Sequence, residues 1–462
     1  MTITTAGIYR RELEKWLGLP ESSKGDDLIT GFTTDSREAV EGMAFLAIKG
    51  ENRDGNDYVA SAIAAGATLA IAQHIPSGLE EKVLYVPDTV KALGTIAAAH
   101  KQAVAPFTVA VTGSVGKTTA KEMIHAVLSE KFKTHKSRAN HNNEIGLPLS
   151  LLSLDRSYSA AVYEMGMSAK GEISYLTRIA RPDLAVITNI GSMHIEYLGS
   201  REAIRDAKLE IREGMREGST IILHGDEPLL QNIPGGYYVS MHNPDADMYV
   251  SKIITGENGT AFDLCIRGET VESIVIPAFG EHNVYNAALA YAVGLHVGLG
   301  QFEIRRGLKN YKPCDMRQEI YPCKGVTIVE DCYNAGPESM KAALHVLRDL
   351  TARDGGRAVA ILGDMKELGD FSESLHREVG KAAAESGVKV LFTVGPEAER
   401  IAEEAKNGGI PIVESFTGEE SDAVGKIAQA LVCQLLPGDK LLFKGSRAMH
   451  LENVVEQVKE LL

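Results

Sequence analysis

Thr108-Val109-Ala110-Val111-Thr112-Gly113-Ser114-Val115-Gly116-Lys117-Thr118-Thr119 opens a stretch, running on to Leu128, around which the rest of the chain is organised. The apolar, β-prone run from Phe107 to Val111 predicts a strand that stops at Thr112-Gly113-Ser114. A helical pattern begins at Lys117 and puts Ala120, Met123, Ile124, Val127 and Leu128 on one face. Strand, tight loop and helix follow one another. Gly113 and Gly116 let backbone NH groups turn inward around a phosphate, and the helix start adds partial positive charge. In that reading Lys117 reaches the outer phosphates of a nucleotide and the Thr118 hydroxyl is placed to bind Mg²⁺. The general P-loop pattern has a glycine where this chain has Val111, so the match is to a shortened form, Thr-Gly-Ser-x-Gly-Lys-Thr. A plain glycine turn is the alternative, and the strand-to-helix context of Gly-Lys-Thr-Thr argues against it.

At 462 residues the chain is long for a single core, and about three domains are expected. Its 48 Lys and Arg against 62 Asp and Glu give a net charge of −14, which disfavours sequence-independent nucleic-acid binding but not local anion pockets. The cysteines Cys265, Cys314, Cys323, Cys332 and Cys433 are odd in number and form no Cys-x-x-Cys pair. Reduced thiols are therefore expected, not a disulfide framework or a zinc site. Arg10, Arg11, Glu12 and Glu14 stand where a signal peptide needs an apolar core, and no run approaches the length of a membrane span. A soluble, cytoplasmic protein is the expectation.

Up to about Pro87, short apolar strands alternate with an alanine-rich helix, Tyr58 to Ala65, and close on a strand from Val83 to Val86. This predicts a small α/β domain. Its polar cluster Asp35-Ser36-Arg37 suits an anionic ligand such as a diphosphate, or equally an ordinary turn with a surface arginine. A helix from Thr89 to Val104 leads to the phosphate loop. Beyond the loop's helix, Asn140-His141-Asn142-Asn143-Glu144 is dense in amides, which cap backbone more often than they bind ligands. A buried-type strand, Ala160 to Tyr163, ends at Glu164, and another, Leu184 to Thr188, runs into Asn189-Ile190-Gly191-Ser192-Met193-His194. Ligand sites of parallel sheets lie beyond the carboxyl ends of strands, so Glu164 reads as an Mg²⁺ ligand or else as a helix-capping or surface carboxylate, and His194 as either a metal ligand or a core histidine. The predicted helix Arg201 to Met215 puts Ile204, Lys208, Ile211 and Met215 on one stripe, which turns Lys208 inward. That lysine snorkels, pairs with an acid, or is chemically modified.

From about Met316 a fresh strand-helix alternation predicts a doubly wound sheet: Val326 to Glu330, a helix from Pro337, Ala358 to Leu362, Lys389 to Val394, a helix from Pro396, Lys440 to Phe443 and a last helix to Leu462. No Gly-x-Gly-x-x-Gly follows its first strand, so no dinucleotide is implied. Asp331, Asn334, Asp364 and Lys444-Gly445-Ser446-Arg447 gather at strand ends, the last as an anion site or solvated surface charge. The fold expected is α/β in three domains: 1–87, 88–315 with the phosphate loop, and 316–462, Rossmann-like.

Taken in order, these motifs resemble the Mur ligase family over nearly the whole chain. The resemblance is carried by Asp35-Ser36-Arg37, Thr112 to Met123, Asn140 to Pro148, Glu164 with Gly171-Glu172-Ile173, Thr188 to His194, Ala207-Lys208, His282-Asn283 with Asn286-Ala287, Asp331 to Pro337, and Lys444 to Arg447. Leu362-Gly363-Asp364-Met365, with Glu367-Leu368-Gly369, is closest to the branch that adds D-alanyl-D-alanine to UDP-N-acetylmuramoyl-tripeptide in peptidoglycan precursor synthesis. The resemblance implies that ATP phosphorylates the tripeptide carboxylate and that the dipeptide amine then displaces phosphate, with Lys117, Lys208 and His194 in catalytic roles. It implies Mg²⁺ held by Thr118, Glu164 and His194, and a carbamoylated Lys208. Gly113, Ser114, Gly116, Lys117, Thr118 and Thr119 are the implied phosphate contacts, Asn283 the adenine contact, and Arg317 and Asp331 the ribose or phosphate contacts. Asp35, Ser36 and Arg37 are the implied holders of UDP, and Asn142, Asn143, Asn334, Lys444, Ser446 and Arg447 the remaining substrate contacts. Small-molecule partners only and a monomer are expected. Two positions depart from the family pattern: Gly336 replaces the second asparagine of Asn-Ala-Asn-Pro, and Asn56 stands where a histidine is common. A related ligase with another amine, and a P-loop NTPase or kinase without ligase activity, are the alternatives.

Overall fold

The alternating apolar runs at the start of the chain become a five-stranded sheet in the computed structural model, which describes residues 1–138, 140–314, 316–417 and 423–462. Thr2–Tyr9 pairs antiparallel with Leu28–Thr33, and Met43–Leu46, Leu69–Ala72 and Val83–Tyr85 then add in parallel. One face is closed by the helix Val59–Ala65, whose Val59, Ala62 and Ile63 pack with Phe45, Ala70 and Val83. The helix Thr89–Val104 starts where predicted because the Asp88 carboxylate accepts from the Val90 and Lys91 amides, each at 3.0 Å. A cap of this kind is worth about 1 kcal/mol.

The described residues pack as two units. The first comprises Met1–Thr112, Leu128–Ile187 and Ala207–Ile222; the second comprises Gly113–Val127, Thr188–Asp206 and Leu223–Leu462. Besides the five-stranded sheet, the first unit holds parallel strands in the order Leu184–Ile187, Phe107–Thr112, Ala160–Glu164, Thr134–Lys136. Their continuous apolar runs are those of strands covered on both faces: Val109, Ala110, Val111, Ala161 and Val162 are fully buried.

The predicted helix from Arg201 to Met215 is α-helical only over Arg201–Leu209, and Glu210–Gly214 tightens into a 3₁₀ turn. The cause is close packing on the helix Glu172–Ala180. A Cβ on Gly214 would stand 2.1 Å from the Thr177 carbonyl oxygen, and the Thr177 hydroxyl donates to Ile211 O at 2.7 Å. Glu210 meanwhile caps that neighbouring helix, its carboxylate accepting from Gly171 N and Ser174 N.

The second unit contains the helix Lys117–Leu128 up to Val127, the helices Glu281–His296 and Gln301–Lys309, and a group of strands absent from the sequence-based expectation. Gly236–Ser240 runs parallel to Met248–Gly256, which continues antiparallel through Gly259–Ile266 and Glu269–Ile276. It also contains the predicted doubly wound sheet, in the order Glu319–Cys323, Val326–Glu330, Lys440–Lys444, Ala358–Gly363, Val390–Val394, Ile412–Phe416, with only the first pair antiparallel. Helices Leu451–Leu461 and Ala423–Gln434 bury Val454, Val455, Val458, Ile427 and Leu431 against Val359, Ile361, Phe392 and Phe443. The expected domain boundary at 315 falls outside the described residues. No helix among the described residues is long and apolar enough to cross a membrane.

Candidate active site

The loop Gly113–Gly116 has the backbone that only glycine adopts without strain: φ is +149° at Gly113 and +84° at Gly116. Space reinforces the choice. A Cβ at Gly113 would lie 1.9 Å from Thr188 Oγ1, and one at Gly116 would lie 2.8 Å from Asn286 Oδ1. The segment from Thr188 to Gly191 braces the loop from one side. Ser114 N donates to Asn189 O (3.1 Å), Val115 N to Asn189 Oδ1 (3.0 Å), Thr188 Oγ1 and Asn189 Nδ2 to Val115 O (2.5 and 3.0 Å), and Gly191 N to Ser114 Oγ (2.8 Å). Lys117 folds its ammonium over the loop, onto Gly113 O at 2.8 Å and Ser114 O at 3.2 Å. The NH groups of a helix's first turn have no intrahelical acceptor, so Lys117, Thr118 and Thr119 present donors and a cation where an anion fits. Tyr311, raised by burial, takes Thr119 as a hydrogen-bond partner.

Beside the loop opens a cleft of about 230 Å³, lined by Val115, Gly116, Thr188 and Asn189 together with His224, Asp226, Met241, His242, Glu281, His282, Tyr285 and Asn286. His224 stacks on Tyr285 with ring centres 3.7 Å apart and planes 10° from parallel. Burial pushes both His224 and His282 down to about 4, so the two imidazoles are neutral near pH 7. Cation-poor, ring-lined walls suit a neutral heteroaromatic ring, while the loop suits phosphate. Asn283, the residue expected to contact adenine, is buried one position away, its amide donating to Phe279 O and Gln318 Oε1.

Two carboxylates hold the segment that follows the loop's brace. Glu338 Oε1 accepts from Ser192 N (2.8 Å) and Ser192 Oγ (3.0 Å), and Gly191 is needed beside it because a Cβ there would stand 2.7 Å from the Glu338 carboxyl carbon. Glu367 Oε2 lies 2.5 Å from His194 Nδ1, and that contact holds the Glu367 carboxyl below its ordinary range. Neither carboxylate was assigned a role from sequence. Glu367 was visible only as part of a motif, and Glu338 is 146 positions from its partner, a separation that no local pattern reports.

The strand-end cluster of the doubly wound sheet forms as a set. Lys444 Nζ lies 2.6 Å from Asp331 Oδ2 and 3.0 Å from Asn334 O. Ser446 N donates to Asp364 O, and its hydroxyl accepts from Lys366 N, each at 3.0 Å. Arg447 is half-exposed and pairs with Glu452 at 2.9 Å, and the Arg317 guanidinium lies 4.1 Å from the centre of the Tyr333 ring.

The remaining predicted residues belong to the first unit. Glu164 closes the strand Ala160–Glu164, is 3% exposed, and accepts from Asn142 Nδ2 at 2.9 Å. Asn143 Oδ1 accepts from Gly146 N, the first residue of the helix Gly146–Leu152, at 2.9 Å. Lys208 is 1% exposed. Arg37 is exposed and paired with Asp35 (Nη2 to Oδ2 2.5 Å), which also caps the turn Ser36–Glu38 through Arg37 N; both bonds hold the Asp35 carboxyl far below its usual range.

Among the described residues no group of three or more His, Cys, Asp or Glu side chains forms a metal cluster.

Sequence profiles described as the Mur ligase family catalytic domain, the Mur ligase middle domain, and the Mur ligase glutamate ligase domain match residues 28–101, 111–294 and 316–447. The chain is 41% identical over 441 residues to the UDP-N-acetylmuramoyl-tripeptide–D-alanyl-D-alanine ligase of Bacillus subtilis (strain 168), covering 94% of each chain. Among solved structures it is similar to MurF from Acinetobacter baumannii, at a TM-score of 0.88 and 30% identity over 99% of this chain and all of that one. It is also similar to the Thermotoga maritima MurF ligase in complex with ADP, at a TM-score of 0.83 and 30% identity over 93% of this chain and 97% of that one.

Proposed function

The chain belongs to the Mur ligase family, and from that membership we propose that it uses ATP to join D-alanyl-D-alanine to UDP-N-acetylmuramoyl-tripeptide, in the building of peptidoglycan precursors. Identity of 41% across 94% of a ligase with that printed activity is the observation that carries this reading. The γ-phosphoryl group passes to the tripeptide's terminal carboxylate, giving ADP and an acyl phosphate. The dipeptide amine then attacks the acyl carbon, loses a proton and expels phosphate as the amide forms.

Phosphoryl transfer is chiefly positioning and charge neutralisation. The braced loop and Lys117 supply both for the outer phosphates, and the ring-lined cleft beside Gly116 takes the adenine, with Asn286 and His282 in its lining. Mg²⁺, when bound, would supply charge neutralisation and orientation to the transferring group. Thr118, Glu164 and His194 are its proposed ligands; the hydrogen bond that Asn142 Nδ2 donates to Glu164 Oε1 supports this by fixing the carboxylate's orientation. Lys208, which is 1% exposed, is proposed to be carbamoylated, a modification that forms on the neutral amine. Asp35, Ser36 and Arg37 are the proposed UDP contacts. Asn334, Asp331, Lys444, Ser446, Arg447 and Arg317 are proposed to meet substrates from the last domain. The domain limits are proposed as 1–87, 88–315 and 316–462, in keeping with the three matched ranges. The five cysteines are all free, in keeping with a reducing, cytoplasmic setting.

Phosphate release from ATP and the muramoyl tripeptide, measured with and without D-alanyl-D-alanine and paired with mass spectrometry of the product, tests the reaction. Dipeptide-dependent release with a pentapeptide product is expected. Release that ignores the dipeptide would overturn the ligase reading in favour of an NTPase.

A further inference from the structure

Gly199-Ser200-Arg201 starts the helix Arg201–Leu209, and its first two residues do so by local rules. Gly199 takes φ +80°, and the Ser200 hydroxyl caps the first turn by accepting from Ala203 N at 3.1 Å. Arg201 goes against those rules, because a cation in the first turn opposes the helix dipole. Its reason lies in tertiary contacts. Arg201 Nη2 donates to Ile190 O at 2.6 Å and to the carboxylate of Glu227, at 3.1 Å to Oε1 and 2.9 Å to Oε2. The two acceptors belong to different parts of the nucleotide site. Ile190 stands between Asn189, whose backbone and side-chain oxygens accept from Ser114 N and Val115 N, and Gly191, whose amide donates to Ser114 Oγ. Glu227 follows His224 and Asp226, both in the lining of the cleft, and its side chain is only 9% exposed. It also accepts from Leu229 N at 3.2 Å, which fixes the carboxylate to its own turn.

We infer that Arg201 is a positioning residue for the nucleotide: it ties the brace of the phosphate loop to the segment 224–227 and so sets the distance between the place for the phosphates and the place for the base. This rests on the reading of Gly113–Gly116 as the phosphate site and of the cleft as the base site. The argument is one of donor count and tethering. A guanidinium NH₂ carries two protons, and here the same nitrogen serves a carbonyl of the brace and a carboxylate of the cleft segment. A buried carboxylate needs such a partner, and the planar arginine head spends less freedom in supplying it than a lysine stem does. A nucleotide occupies both places through one covalent link. The gain from linking two groups in one ligand depends on the spacing of their sites and disappears when that spacing is wrong. Adenosine, which needs the cleft alone, and pyrophosphate, which needs the loop alone, are indifferent to it.

The test is the affinity of the full-length protein for ADP, adenosine and inorganic pyrophosphate, followed by calorimetry for ADP and by ligand-observed nuclear magnetic resonance for the two fragments. Arg201→Ala is expected to weaken ADP binding by about tenfold or more while adenosine and pyrophosphate change by less than about threefold, and to raise the KM for ATP more than it lowers kcat. Arg201→Lys, which keeps the charge and the donors on a shorter and more flexible stem, is expected to fall between alanine and wild type and covers the case in which the alanine variant does not fold. Equal losses for all three ligands would mark a general disturbance of the fold and overturn the inference, as would wild-type ADP affinity in both variants. In the wild-type protein, ADP that neither adenosine nor pyrophosphate displaces at saturating concentration would instead overturn the reading of the two places on which the inference rests.

Discussion

Gly113 shows how one position couples backbone conformation to nucleotide binding. Its φ is +149°, and a Cβ added there would come within 1.9 Å of Thr188 Oγ1, so even alanine must displace the hydroxyl that holds Val115 O. Gly113→Ala is therefore expected to weaken ATP binding at least tenfold in a fluorescent-nucleotide titration, and near-normal affinity would show that the brace is dispensable. Gly336 is a different case, because its backbone is ordinary extended chain (φ −154°) and only space selects it. A Cβ there would meet Met193 Sδ at 2.2 Å, because the methionine occupies that volume. Gly336→Asn is expected to destabilise by about 1–3 kcal/mol as an overpacked contact, and Met193→Ala in the same chain to recover part of it. Additive effects in that double-mutant cycle would refute the contact. Lys208 carries the third residue-scale prediction. Lys208→Ala is expected to be nearly inactive and partly rescued by short carboxylic acids, which would replace the anionic oxygens of the proposed carbamate; full activity without them would argue against the modification.

Among elements, the strands Met248–Gly256, Gly259–Ile266 and Glu269–Ile276 show why part of the fold was hidden. Register shifts between Ser251 and Ile254 and between Phe262 and Leu264 break the two-residue alternation by which strands are recognised, and Lys252 and Ser273 take positive φ at the irregularities. Asp263 serves both, accepting from Ser273 N at 2.8 Å and pairing with Lys252 Nζ at 3.0 Å. These bonds, the Ser273 amide foremost, lower its carboxyl below the ordinary range. The stabilisation is therefore complete above the unfolded carboxylate's range near 4 and fades as pH falls through the lower folded value. Asp263→Asn is expected to lower the unfolding temperature at pH 7 and to narrow its gap to wild type in acid; a gap independent of pH would disprove the role. By contrast the phosphate loop, the helix Thr89–Val104 and the strand Val326–Glu330 were legible, because caps, glycines and continuous apolar runs are local signals. Glu338 on Ser192 and Glu367 on His194 were not, since each joins elements far apart in the chain.

At the scale of the molecule, the second unit contains the phosphate loop, the ring-lined cleft and the doubly wound sheet, with Glu338, Glu367 and Gly369 pressing that sheet's loops onto the segment after the loop's brace. A nucleotide bound at Gly113–Thr119 therefore stiffens a segment that the sheet also contacts. Ligand linkage gives the size of the effect: ADP at 100 times its dissociation constant adds about 2.7 kcal/mol to the stability of whatever unfolds with the site. If the second unit unfolds cooperatively, ADP with Mg²⁺ is expected to raise its unfolding temperature by several degrees. Amide exchange is expected to slow in 364–369 and 440–447 as well as in 113–119, because opening any of these then carries the binding free energy with it. Protection confined to 113–119 would mean that the loops of the sheet open independently of the nucleotide. The contacts of Glu338 and Glu367 would then be local packing, with no part in holding the site together.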